Sequence, residues 1–420
     1  MAKPLPKPIA TPAGPRLHLF PIVLLAESLR LIIIVITLKA HPATWFFAQA
    51  SELNELAHSL LTGHGLSSPF GGLTGPSAFL APGYPLFIAA IFRIFQPQSF
   101  ASAFALMLLQ SLFATATIVC MMLLARKLFS NATANLAGIV WAVSPPLLFL
   151  PTIYWDTSFS IFILTLFILL YVYCATNPTW RNWLSIAGCA LFALYTNPSL
   201  ATAIAGCFLW TAFVSHRIFP RVRLTSPIAA AVLIALCFSL WPLRNYERLH
   251  AFIPLRSNLG YELWQGNRPG SDGFFSPALH PNVNRQEFQR YASLGEVAYM
   301  REKSEQAKAA IRSDPSRFAT LTSKRIFSFW SGMSQPSVWP MVAYASATTL
   351  LGLLGFVLLL HKQKKIAILF AIPLLLLPLP YYLTHPDYRF RCVIDPLLTL
   401  VAAYALTRRQ CAESPSPTAH

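Results

Sequence analysis

Acidic side chains are scarce in this chain. Its 420 residues hold 15 Asp and Glu against 32 Lys and Arg, and charged residues of both signs make up 11%. A water-soluble globular domain carries roughly 25%. The shortfall excludes a surface that mostly meets water, and with it the two or three soluble domains that length alone suggests. Cysteine is sparse as well: seven, an odd number, with no Cys-x-x-Cys and most of them inside apolar runs. That pattern excludes a disulfide framework and a zinc site and leaves small core or membrane-facing side chains. Residues 1–16 contain no acid, only Pro, Lys and uncharged residues around Arg16. The apolar run after them is too long for a signal-peptide core and has no clear cleavage site, so it reads as a retained first helix. No internal repeat is visible.

What is present in quantity is hydrophobic sequence, 55% of residues. A spanning helix needs about 20 apolar residues. Runs of that kind cover 17–38, 101–125, 133–150, 157–175, 227–243, 341–360, 366–383 and 393–406. Shorter ones cover 82–95, which reads as re-entrant or interfacial, and 183–195 and 200–214, split by Asn197 and Pro198. The expected fold is an all-α polytopic transmembrane bundle of roughly ten to twelve spans.

The net charge of +17 does not point to nucleic acid. The positive residues sit in short clusters between apolar runs, which is how membrane topology is encoded. With the N-terminus inside, the inner connections carry Arg126 and Lys127, Arg181, then Arg217, Arg221 and Arg223, then Lys362, Lys364 and Lys365, and finally Arg408 and Arg409. Both termini are then cytoplasmic. Outside lie the first loop (39–81), the corner at 154–156, the polar segment 245–340 and residues 385–391. The division that follows is a tail (1–16), a transmembrane module (17–244), an outer domain (245–340), closing helices (341–407) and a second tail (408–420). Glu27 falls in the first span and Glu413 in the tail; the other acids lie on or near the outer side. Glu27 and Arg30, three apart in an apolar run, are expected to pair inside the bundle.

Within the outer segment, 286–312 has apolar residues at helical spacing among Glu, Gln, Lys and Arg, and reads as one helix. Asp314-Pro315 restarts a second helix that runs to Trp330. The Gly-, Pro- and Asn-rich stretch 252–284 reads as loop with short strands.

In the first outer loop, leucines at 53, 56, 60 and 61 give 51–61 one apolar face, an amphipathic helix at the interface. Glu52 and Glu55, three apart, share a face. They are either carboxylates aimed at a substrate on the membrane surface or a solvated polar face. The stretch Thr62-Gly63-His64-Gly65-Leu66-Ser67 and the later Pro82-Gly83-Tyr84-Pro85-Leu86-Phe87 place glycines where backbone can approach closely and prolines where a helix begins. Asp156, after Tyr154 and Trp155, precedes Thr157 and an apolar run, the position of a helix N-cap.

The motif from Leu56-Ala57 through Leu60-Leu61-x-Gly63-His64-Gly65-Leu66-Ser67, followed by Pro82-Gly83-Tyr84-Pro85-Leu86-Phe87, resembles the first outer loop of GT-C superfamily membrane glycosyltransferases, in particular bacterial proteins similar to the dolichyl-phosphate-mannose protein mannosyltransferases and the lipid A aminoarabinose transferase. The helix layout and the closing stretch from Tyr388 to Asp395-Pro396-Leu397 add to the resemblance. It implies an enzyme of the bacterial inner membrane that takes a sugar from a polyprenyl-phosphate carrier and passes it to a lipid, glycan or protein acceptor at the outer face. Its members place a catalytic acid in the first outer loop and often a second in the next, for catalysis or metal binding. Where many relatives carry Asp, this chain has Gln49; Glu52, one turn later, is the nearest acid and takes the role. Asp156 matches the second position, and Mg or Mn is left open as a cofactor. The alternative is a transporter or flippase without catalysis, which would gather polar residues near the bilayer midplane.

The chemistry the resemblance implies needs a base for the acceptor hydroxyl, which a carboxylate can supply, and a cation for the leaving phosphate, which Arg grips bidentately. Arg389 and Arg391, in the stretch from His385, sit at an outer membrane edge; the alternative for them is snorkelling to headgroups. Arg256 is a further cation. Trp264 and Asn267, beside Tyr261, suit a sugar, or else pack the outer domain on the membrane. Glu55, His64, Tyr84 and His385 complete the substrate-binding candidates.

Overall fold

The computed structural model describes residues 15–218, 225–333 and 338–412. These residues form an all-α protein, with one isolated bridge between Ser67 and Pro76 and no strand. The helices used below are α1 (Leu19–Ala40), α2 (Ser51–Leu61), α3 (Gly83–Ile94), α4 (Phe100–Leu128), α5 (Asn131–Ala142), α6 (Thr157–Thr176), α7 (Trp180–Thr196), α8 (Ala201–Ile218), α9 (Thr225–Phe238), α10 (Leu240–Leu249), α11 (Leu259–Asn267), α12 (Arg285–Leu294), α13 (Glu296–Ser313), α14 (Pro315–Ser331), α15 (Trp339–Lys362), α16 (Lys364–Leu376), α17 (Tyr388–Cys392) and α18 (Asp395–Ala412).

Among the described residues six helices are long and apolar enough to cross a membrane, or seven if the pair Asn131–Ala142 and Pro145–Thr152, bent by 53°, is one span. The chain is a multi-pass membrane protein. The larger number expected from hydropathy included short helices. The run 82–95, read as re-entrant or interfacial, forms α3 with 12 residues, about 18 Å of rise, which is less than the roughly 30 Å of a bilayer core. Ser144-Pro145-Pro146 breaks the 133–150 run, because proline removes an amide and its ring clashes with the preceding turn.

The bundle packs α4 on α1, α5 and α6, α7 on α9, α8 on α16, and α18 between α15 and α5. Arg30 is wholly buried; it donates to Glu27 at 2.7 Å and to Ser111 at 2.9 Å, and Ser111 in turn donates to Glu27 at 2.9 Å. Thr115 completes the cluster. This is the pair expected from the sequence, and it locks α1 to α4 with its charges satisfied inside the bundle.

The first loop, the 154–156 corner, the 197–198 turn, the segment from 250 to 333 and residues 384–394 all gather at one end of the bundle, called here the loop face. The basic clusters of Arg126 and Lys127, Arg181, and Lys362, Lys364 and Lys365 fall at helix ends away from it. Arg221 and Arg223 lie outside the described residues, as do residues 1–14, 413–420 and the side chains of Arg217 and Arg409.

Two expectations for the polar segment change. The stretch read as loop with strands contains α11 instead. The helix read over 286–312 is broken at Gly295, whose φ of +75° ends α12 and starts α13 at an angle. Leu294, directly before the glycine, is no capping residue, and a single glycine within helical periodicity does not announce a turn. Asp314 does cap α14, accepting from the Arg317 amide at 2.8 Å.

Two buried polar clusters fix the segment to the bundle. Glu296 accepts from Ser77 Oγ at 2.5 Å, from the Ala78 amide at 2.7 Å and from Tyr291 at 3.0 Å, tying α13 to the first loop. Arg325 on α14 donates to the carbonyls of Gly266, Gly273, Tyr382 and Leu383. Gly266 is required here, since a Cβ would stand 1.7 Å from the Thr384 carbonyl oxygen. Gly266→Ala should therefore destabilise the chain by on the order of 3 kcal/mol, read as a lower unfolding temperature in detergent; an unchanged midpoint would contradict this packing.

Candidate functional site

The site begins with a stitch between two loops. Gln49 donates to the Thr152 carbonyl at 3.0 Å and accepts from the Tyr154 amide at 3.3 Å. Tyr154 packs on Phe46 and Phe47 with ring centroids 5.0 and 5.1 Å away. Asn54 donates to the Phe47 carbonyl at 2.8 Å, which seats α2 with Leu53, Leu56 and Ala57 in the core. The stitch brings the start of α2 up to the start of α6.

Glu52, in the first turn of α2, is therefore buried rather than solvated, at 7% exposure. Asn282 donates to it at 3.2 Å from the polar segment. Burial pushes its carboxyl up to about 7; its own amide and the Arg389 charge pull the other way, and Glu262 adds to the rise. A carboxyl placed near neutrality is suited to taking and returning a proton.

Asp156 occupies the N-cap position of α6 but makes no cap bond. Its carboxylate takes a bond from Ser160 at 3.4 Å and lies 3.9 Å from the Arg256 guanidinium. Burial raises the carboxyl, opposed by Arg256 and Arg389. Arg389, half-buried, lies over the Trp155 ring at 4.4 Å. Asp387 caps α17 through the Arg389 amide at 2.8 Å and holds the guanidinium through Nε and Nη2, each at 3.2 Å. Arg389 stays fully charged: burial opposes the charge, but Asp387, Asp156 and Glu52 together hold its pKa above the ordinary value.

The structure thus brings Glu52 and Asp156 within electrostatic reach of Arg389, and Asp156 within reach of Arg256, at the loop face, although the four come from separate stretches of chain. His385 joins them through Glu262, its Nε2 lying 2.7 Å from Glu262 Oε2. Tyr84 is buried, stacks edge-on to Phe159 at 5.2 Å and lies in reach of Asp156, with its hydroxyl unbonded among the described residues.

The remaining candidates are placed elsewhere. Glu55 lies against Gly71, its carboxylate 3.7 Å from where a Cβ would stand there. His64 is exposed and bonded to Thr62 at 2.9 Å. Trp264 is buried under the Lys303 ammonium at 3.8 Å. Asn267 is used at both ends of its amide, donating to the Leu263 and Leu383 carbonyls at 2.8 Å and accepting from Arg325 at 3.0 Å. Arg391 is fully buried, paired with Asp395 at 2.5 Å and donating to the Ala345 carbonyl at 2.8 Å. Its environment is neither a headgroup layer nor a phosphate site; it ties α17 to α15.

Glu262, Asn282, Trp155 and Asp387 belong to the cluster but were not singled out from sequence. Glu262 carried a usable signal: it is one of few acids, in a segment already marked by its aromatic and amide residues. Asn282 carried none.

Among the described residues no group of three or more His, Cys, Asp and Glu side chains is arranged to hold a metal ion.

No protein-family model matches the chain, and no curated protein matches it in sequence. Solved structures do match in fold. The oligosaccharyltransferase of Archaeoglobus fulgidus, in complex with zinc and sulfate, superposes over 94% of this chain with a TM-score of 0.52 and 14% identity. In fold, the chain is similar to this oligosaccharyltransferase. The same enzyme tethered to an acceptor peptide gives a TM-score of 0.53 at 12% identity, over 93% of this chain and 49% of that one. Its form with an inhibitory peptide and a dolichol-phosphate gives 0.51 at 12% identity, over 96% and 52%. The chain spans about half the length of these proteins. ArnT from Cupriavidus metallidurans superposes too loosely to argue from, with a TM-score of 0.38 at 13% identity over 92% of this chain and 81% of that one.

Proposed function

We propose that the chain is a membrane glycosyltransferase that moves a sugar from a polyprenyl-phosphate-linked donor to a lipid, glycan or protein acceptor at the outer face of the bacterial inner membrane. The observation that carries this reading is the convergence of two raised carboxyls, Glu52 and Asp156, with two arginines, Arg256 and Arg389, at one end of an apolar bundle. The basic helix ends away from the loop face favour a cytoplasmic placement for that opposite end, which supports a site at the outer surface.

Each side chain then has a task. Glu52 removes the acceptor proton as the acceptor oxygen attacks the sugar carbon. Arg389, flattened on Trp155 and held by Asp387, presents a fixed guanidinium to the departing phosphate. Arg256 is shared between Asp156 and that phosphate, and Asp156 keeps Arg256 in place until the donor binds. Tyr84 offers a free hydroxyl beside Asp156. The dolichol-phosphate bound by the archaeal oligosaccharyltransferase supports a lipid-phosphate ligand for this fold.

The test is turnover. Purified protein in proteoliposomes, given radiolabelled undecaprenyl-phosphate hexoses and pentoses with bacterial envelope extract as acceptor, should release undecaprenyl phosphate from at least one donor. Failure to turn over any of them would overturn the reading. Asp156→Asn should retain turnover with a donor KM raised about 10-fold, the cost of one charge-assisted contact.

A further inference from the structure

The cluster contains a pair for which the reading above has no task. His385 is buried at 6% exposure in the turn before α17, and Glu262 lies on α11, 123 residues away in sequence. Their side chains meet at 2.7 Å. Burial alone would raise the Glu262 carboxyl, but the His385 bond and the charges of His385, His280 and Arg256 hold it below its ordinary value. An ionised carboxylate can only accept, so the His385 Nε2 carries the proton in this bond. Asn258 donates to the other Glu262 oxygen at 2.9 Å, which fixes the carboxylate in place.

The second imidazole nitrogen is the informative one. Nδ1 of His385 is buried and has no hydrogen-bond partner among the described residues. Phe275 and Phe390 flank the ring, with centroids 5.3 and 6.0 Å away. A buried polar atom left unbonded is costly and calls for an explanation. A carboxylate on one nitrogen fixes the ring's orientation and leaves the other nitrogen available for proton exchange. The charged groups around the ring are Glu262 on α11 and Asp387 in its own turn, with His280 and Arg256 facing Glu262 from the polar segment. Asp387, two residues on from His385, holds Arg389, so the ring shares its turn with the residue assigned to the phosphate.

We propose that His385 is a second proton-transfer residue, donating its Nδ1 proton to the departing phosphate, and that Glu262 is its positioning residue. The proposal rests on the glycosyltransferase reading. In the step, the bond from the sugar carbon to the phosphate oxygen breaks and its electron pair stays on that oxygen. The acceptor oxygen forms the new bond to the sugar carbon and loses its proton to Glu52. The Nδ1 proton of His385 passes to the phosphate, and Glu52 and His385 return to their starting states by exchange with solvent.

The alternative is a clamp that only holds α11 to the turn before α17. His385→Gln separates the two, because its amide can still donate to Glu262 but cannot transfer a proton. The experiment measures transfer from the donor turned over by wild type, together with the thermal midpoint in detergent. The expected result for His385→Gln is a near-native midpoint, a donor KM within about threefold and a kcat lower by about 100-fold. Glu262→Gln should lower kcat by about 10-fold, and the double variant should be no slower than His385→Gln alone, since the carboxylate acts through the imidazole. A folded His385→Gln with native kcat overturns the proposal while leaving the Glu52 reading intact. If His385→Gln does not fold, native kcat in Glu262→Gln overturns it. Wild type that transfers no sugar overturns the reading beneath it, and the proposal with it.

Discussion

Glu52→Gln should abolish transfer while making the folded chain more stable. The rate effect follows from chemistry: a positioned general base contributes about 10²- to 10⁴-fold, and glutamine has no basic lone pair to replace it. The stability effect follows from burial. The Glu52 carboxyl is raised from 4.5 to about 7 in the folded chain. Between those values the folded state holds a proton that the unfolded state has released. Stability from this group is therefore fully present below the unfolded value and is lost as pH rises through about 7. Above pH 7 the wild type must keep a carboxylate in a site that disfavours it, at a cost on the order of 3 kcal/mol. Glutamine escapes that cost. Paired thermal melts in detergent at pH 6 and pH 8 should show the variant gaining on wild type at the higher pH. A variant that loses both activity and stability at pH 8 would show that Glu52 is a structural acid.

Arg389→Ala should lower kcat/KM by about 100-fold, the typical cost of removing one fixed donor from a developing anion. It should also move the pH dependence. Arg389 lies among the influences that lower the Glu52 carboxyl. Without it the carboxyl rises further, and the rate climbs at higher pH than in wild type. A merely structural arginine would reduce the amount of folded protein without shifting that midpoint. Arg389→Lys should recover little, because the bond geometry to Asp387 through Nε and Nη2 and the stacking on Trp155 both need a planar guanidinium.

Much of this architecture was legible in the sequence because bilayers impose a simple code. Apolar runs gave α1, α4, α6 and α15 within a few residues, and Glu27 with Arg30 announced a buried pair by its spacing. Length was the weak point. The runs 183–195 and 200–214 form helices that are not among the candidate spans, and apolarity alone does not distinguish a span from a short packed helix. The break at Gly295 was illegible for a similar reason, since the periodicity of 286–312 continues through it.

At the site, residue type and side of the membrane pointed to Glu52, Asp156 and Arg389, and those three do lie together. Tertiary partners decided the rest. Arg389 and Arg391 are two apart and looked equivalent; Asp387 and Trp155 hold one at the cluster, while Asp395 and α15 take the other. Asp156 looked like a helix cap, and the proximity of Arg256, 100 positions on, turns its carboxylate outward from that role. Trp264 and Asn267 looked suited to a sugar, but Lys303 and Arg325 occupy them. Trp155, Ala345, Arg256, Lys303 and Arg325 are all distant in sequence from the residues they hold.

The most direct test of Glu52 as the base is the pH dependence of kcat/KM for sugar transfer, measured from pH 5.5 to 8.5 in wild type and Glu52→Gln. A base must be deprotonated to act, so the wild-type rate should rise with pH through a midpoint near 7, and the residual rate of the variant should not follow that rise. A wild-type rate that is flat across this range, or a variant that keeps the same rise, would contradict the assignment.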